Sequence, residues 1–147
     1  MRRKVLVICG LLILVAAALT AVPRLMRPER QRFDTTSVDE LGTLYTAQYV
    51  YERTHPERGF ASSLSQLGPD SADSLIDPLL ATGNKDGYLF VLTPEPRDAR
   101  GRVIHYSIVA LPQKYHRGTP SFYIDETGVE RFTRENRAAT VNDSPVP

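Results

Sequence analysis

Residues 87–111 read GYLFVLTPEPRDARGRVIHYSIVAL, and two runs within them have the composition of β-strands. GYLFVLT and VIHYSIVAL are rich in aromatic and β-branched residues, which suit a pleated surface. Between them, PEPRDARGR supplies prolines and charges and reads as a loop. Before them, Asn84-Lys85-Asp86-Gly87 is a turn signal. After them come SFYID (121–125), introduced by PQKYHRGTP, and VERFT (129–133). Glu126-Thr127-Gly128 joins these last two as a hairpin turn, with Gly128 free to take positive φ. Four antiparallel strands in a meander are therefore expected. The tail, RENRAATVNDSPVP, has little to bury and reads as flexible.

A sheet with one apolar face needs a cover. Working upstream, SLIDPLLATG (74–83) reads as a short helix, with Asp73 or Ser74 near its cap, Pro78 in its first turns and Gly83 past its end. Residues 57–74 are rich in Ser, Gly, Asp and Pro and read as a loop, with one turn at Ser62–Leu67. The cover itself is SVDELGTLYTAQYVYERT (37–54). Ser37 and Glu40 have the spacing of a capping box, in which each satisfies an amide of the first turn. Val38, Leu41, Leu44, Tyr45 and Tyr51 fall near one helical stripe, with Gln48 interrupting it. Gly42 costs helix stability but permits close approach of another element. His55-Pro56 ends the helix.

Further upstream lies VLVICGLLILVAAALTAV, Val5–Val22, an 18-residue run without a charge. As a helix it would be about 27 Å long, close to the ~30 Å hydrocarbon thickness of a bilayer. A membrane anchor is the preferred reading, running from Val5 through Leu12 to Val22 and closed by Pro23. A cleaved secretory signal, with Arg2-Arg3-Lys4 as its basic start and Ala16-Ala17-Ala18 as its cleavage site, is the competitor. A core helix of a small domain would need a polar face that this run lacks. The basic flanks are similar on both sides, so charge alone does not orient the segment. The expected organisation is a basic tip (1–4), a transmembrane helix (5–22), a basic collar (23–36), an α+β domain (37–134) and a flexible tail (135–147). The expected fold is thus a transmembrane helix extending into an amphipathic helix packed on a four-stranded antiparallel sheet.

The net charge of +1 hides an asymmetry. Residues 1–32 carry seven Lys/Arg and one acid, or +6; residues 33–147 therefore carry −5. A domain of that sign is a poor nucleic-acid binder, because neutralising phosphates needs a basic face. The basic collar suits anionic lipid headgroups. Cys9 is the only cysteine, so no intramolecular disulfide can form.

Constellations that carry chemistry are missing from the sequence. His55, His105 and His116 lack metal-motif spacing. Ser62, Ser63 and Ser65 stand in no nucleophile elbow. No phosphate-binding or dinucleotide glycine pattern occurs. Asp125 and Glu126 suit a solvated turn, with calcium as the functional alternative that loop acids could serve. Tyr45, Tyr49, Tyr51, Tyr88, Tyr106, Phe122 and Tyr123 read mainly as core between helix and sheet rather than as a carbohydrate or protein surface. No enzyme and no cofactor are expected.

AVPRLMRPERQRFDTTSVDELGTLYTAQYVY resembles the N-terminal helix of type IV pilins and of the pseudopilins of type II secretion, with Pro23 as that helix's proline. LIDPLLATGNKDGYLFVLTP and RGTPSFYIDETGVERF are similar to pilin-type globular domains. The resemblance spans roughly residues 5–132 and rests on the order of elements more than on any one motif. It implies a non-enzymatic cell-envelope protein with its N-terminus cytoplasmic and its domain outside the inner membrane. Its implied partners are other pilin-like or secretion-system proteins. An envelope-anchored module binding a ligand or polymer on the same scaffold is the alternative. The chain departs from the family in having no glycine–aromatic cleavage site before the apolar run, and Leu6 falls near the place of the family's acidic residue. That departure implies a protein that stays uncut and is not a major filament subunit.

Overall fold

The computed structural model describes residues 35–116 and 118–147. Val5, Leu12, Val22 and Pro23, on which the membrane-anchor expectation rested, lie outside the described residues.

The first element among the described residues is helix α1, Thr35–Thr54. Leu41, Leu44, Ala47 and Tyr51 recur at spacings of three and four and are buried, as one apolar face of a helix requires. The helix already includes Thr35 and Thr36, so Ser37 lies within it and does not cap it, which removes the expected capping box. Ser37 sits inside the helix, fully buried, and its hydroxyl has no hydrogen-bond partner among the described residues. Glu40 turns away to Lys85, with its Oε1 2.5 Å from Nζ. Gln48, read as an interruption of the stripe, is fully buried within it. Its amide donates to the Ala61 carbonyl (3.1 Å) and accepts from the Ala61 N–H (2.8 Å), so one side chain closes both backbone groups of a buried loop residue.

The loop after α1 is tied down at Gly59 and around the 3-10 turn Leu64–Gln66. Gly59 has φ +76, and a Cβ there would lie 2.1 Å from the Val103 carbonyl oxygen, so backbone occupies the space of a side chain. Phe60 N–H and Val103 N–H complete that crossing with bonds of 2.8 and 2.9 Å. Helix α2 is a single turn, Pro78–Ala81. Its cap is Asp77, rather than Asp73 or Ser74. The Asp77 carboxylate accepts from the N–H groups of Leu79 and Leu80, and Pro78 follows as the first helical residue.

Strands β1 (Asn84–Lys85), β2 (Tyr88–Pro94), β3 (Tyr106–Pro112), β4 (Ser121–Asp125), β5 (Arg131–Thr133) and β6 (Ser144–Pro145) form one antiparallel meander in sequence order. Register places Phe90 opposite Ala110, Ile108 opposite Ile124 and Phe122 opposite Phe132. These residues share the face that meets Leu41 and Leu44 of α1, and Leu67, Ile76 and Leu80 join the same core. Full burial of a side chain of this size contributes roughly 1.5–3 kcal/mol.

The expected fold is corrected in two respects. The sheet has six strands rather than four. Among the described residues, no helix is long and apolar enough to cross a membrane. The two added strands have physical causes. β1 is the turn signal itself: Asn84 and Lys85 pair with Leu89 and Tyr88 across Asp86-Gly87, both at positive φ. β6 belongs to the tail expected to be flexible. Arg137 pairs with Asp143 at 2.6 Å, Ala139 is buried, and Ser144 pairs with Phe132.

Candidate functional site

The three histidines stand at three separate places, His55 near both Asp73 and Glu57 and His105 beside Glu126. His55, at the end of α1, has its Nε2 2.7 Å from Asp73 Oδ2 and its ring 4.5 Å from that of Tyr51. This contact pins the loop to the helix end. His105, just before β3, has its Nδ1 2.6 Å from Glu126 Oε1. That bond raises the imidazole's pKa above its ordinary value. His116 is exposed beside a cleft of about 300 Å³ lined by Tyr115, Gly118, Arg134 and Asn136.

The calcium alternative at the β4–β5 turn meets a carboxylate already in use. Asp125 accepts from the Thr127 N–H (2.9 Å), the Thr127 hydroxyl (2.5 Å) and the Tyr123 hydroxyl (3.1 Å). This is an Asx turn closing a hairpin. Glu126 is engaged with His105 and the Tyr106 N–H. Among the described residues, no group of three or more His, Cys, Asp or Glu is placed to hold a metal ion. Burial first, then Asp125, pushes the Tyr123 phenol up to about 12.

The feature with most to offer a partner is the outer face of the sheet. Residues that alternate with the core positions form a second apolar layer. Leu89 stands opposite Leu111, Val91 opposite Val109, and Val109 opposite Tyr123. Leu89 and Val91 are exposed, at 38% and 36%, and Val109, Leu111 and Tyr123 are half-buried. Both faces of the central strands are therefore apolar, whereas a one-sided sheet alternates apolar with polar. The signal lay in GYLFVLT itself, whose run of apolar residues from Tyr88 to Leu92 contains no polar alternation. Tyr88, Tyr106 and Phe122 are core, as the sequence reading held, while Tyr49 is 51% exposed on α1.

Of the residues singled out in the sequence, Ser37 and Glu40 lie on α1 but do not act on each other. Lys85 was not singled out. It collects Glu40 and Asp77 onto one ammonium, with the Asp77 bond at 2.7 Å. The Asp77 carboxyl is held below its ordinary value by that bond first. Searched against protein-family models, curated proteins and solved structures, the chain matches none.

Proposed function

We propose that this chain is a non-enzymatic, pilin-like cell-envelope protein that works by surface contact with pilus or secretion components. The observation that carries the reading is the outer sheet face, where Leu89, Val91, Val109, Leu111 and Tyr123 form a contiguous apolar patch on the side opposite α1. An apolar surface of this kind, rimmed by polar residues such as Thr93 and Arg131, suits protein contact. The resemblance in order of elements to pilin-type domains supplies the class of partner. The ligand- or polymer-binding alternative has its own observation, the cleft where Tyr115 and His116 meet Arg134 and Asn136. An aromatic beside polar groups is what a glycan would use.

The test is co-purification of the full-length chain, in detergent, with the wild type compared against Val91→Lys/Val109→Lys. Pilin-like or secretion subunits recovered with the wild type and lost with the double variant are expected. Recovery of a glycan instead, with loss on Tyr115→Ala, would overturn the reading in favour of the binding module.

A further inference from the structure

The outward side of α1 carries a second, different surface. A cleft of about 580 Å³ runs along it, with Val38, Ala47, Val50 and Leu75 as its apolar walls. Gly42 opens the middle of the helix, where Glu130 Oε1 would stand 3.5 Å from a Cβ. Asp39 and Glu130 lie in the same cleft. Neither carboxylate has a hydrogen bond or an ion pair with a described residue. Burial and then the charge of Asp39 raise the Glu130 carboxyl above its ordinary value. Two like charges share a partly desolvated, apolar-walled groove with no cation from the described residues between them, whereas at Lys85 one ammonium neutralises two acids.

The chain also contains a segment with the complementary chemistry. Residues 23–32, PRLMRPERQR, hold four arginines and one glutamate, a net +3, with Leu25 and Met26 among them. We infer that the α1 cleft is a docking site for this basic collar supplied by a second copy of the chain. Collar arginines would sit between Asp39 and Glu130, where a planar guanidinium suits carboxylates. Leu25 and Met26 would cover the apolar walls. In the same chain, only Phe33 and Asp34 separate the collar from the first residue of α1. A neighbour's collar can lie along the helix without a reversal in those two residues. The inference adds a second contact surface with a named occupant, and it does not rest on the outer sheet face.

The experiment uses the full-length chain in detergent, with Cys9→Ser to clear the background. One tagged copy carries Thr46→Cys in the cleft and a differently tagged copy carries Met26→Cys in the collar. A short thiol cross-linker should join the two tags. Asp39→Lys/Glu130→Lys in the first copy should cut the yield about tenfold, as loss of paired charges at an interface does. Arg24→Glu/Arg27→Glu in the second copy should restore it. A yield that ignores both reversals overturns the inference. So does cross-linking confined to Met26→Cys and Thr46→Cys placed in one copy, which would assign the cleft to the chain's own collar. Val91→Lys/Val109→Lys, on the other face of the sheet, should leave the cross-link unchanged, so that the two readings fail separately.

Discussion

Asp39 and Glu40 are neighbours on α1 with opposite fates. Glu40 enters a site where one ammonium serves two carboxylates, Lys85 Nζ being 2.5 Å from Glu40 and 2.7 Å from Asp77. Asp39 enters a groove where, among the described residues, neither of two carboxylates is paired with a cation. In the first site, neutralisation joins α1 to β1 and to the cap of α2, so it locks three elements together. In the second, the charges contribute nothing to the domain's own cohesion and raise the cost of burying Glu130. A chain retains such a pair at no benefit to its fold, which is the physical reason to look for its counter-charge on another molecule.

The largest effect should come from making the first site resemble the second. Lys85→Met removes the ammonium and leaves Glu40, whose side chain is 14% exposed, facing Asp77 without a cation. A loss of about 1–3 kcal/mol is expected, since charge-assisted bonds are lost and like charges are left together. Urea denaturation at pH 7 measures it. The loss should also depend on pH. The Asp77 carboxyl is held below 3.8 in the fold, so its contribution is present above that value and disappears as pH falls through the lower folded value. Lys85→Met should flatten that acid limb; a variant with the wild-type midpoint and slope would mean that the triad is only a surface contact.

A smaller effect, distinguished by its sign, is expected at Ser37. A capping box would make Ser37→Ala destabilising by about 0.5–2 kcal/mol. The structure reverses this, because the hydroxyl is buried inside the helix without a partner among the described residues. Ser37→Ala should stabilise the domain by about 0.5–1.5 kcal/mol, through a better helix former and the removal of an unsatisfied polar group. A lowered denaturation midpoint would restore the cap.

These contrasts locate what the sequence could convey. Periodicity placed the long helix, the one-turn helix and the central strands, because each buries a stripe or an alternating face of its own residues. It missed β6, whose pairing depends on the Arg137–Asp143 contact and on burial of Ala139, features with no period. It placed the α2 cap three or four residues early, because several Asp and Ser residues compete there and only Asp77 is followed by proline at the first helical position. Gln48 read as a flaw in the stripe because its partner, the Ala61 backbone, comes from a loop with no pattern to announce it. The surfaces were less legible still. The cleft joins α1 to Leu75 and Glu130, residues far apart in the chain. The outer sheet face had a signal in the unbroken apolar run of β2, but the sequence was read as a sheet with one apolar face.

The smallest effect tests the unpaired site directly. Burial and Asp39 hold the Glu130 carboxyl above 4.5, so the folded chain binds that proton more tightly than the unfolded chain does. Glu130 therefore favours the fold at low pH and loses that advantage as pH rises from the unfolded value through the raised folded one. Glu130→Gln should remove this slope and raise stability above that window by less than about 1 kcal/mol, because solvent screens part of the repulsion. The direction should reverse when copies associate. An arginine from a neighbour's collar between Asp39 and Glu130 stabilises the ionised form and draws the carboxyl back down. An NMR titration of the Glu130 side chain should thus give a raised midpoint in dilute protein and a lower one in concentrated protein. The Arg24→Glu/Arg27→Glu chain should keep the raised value at both concentrations. A midpoint at or below the ordinary value in dilute protein would show that the two acids do not share the groove as described.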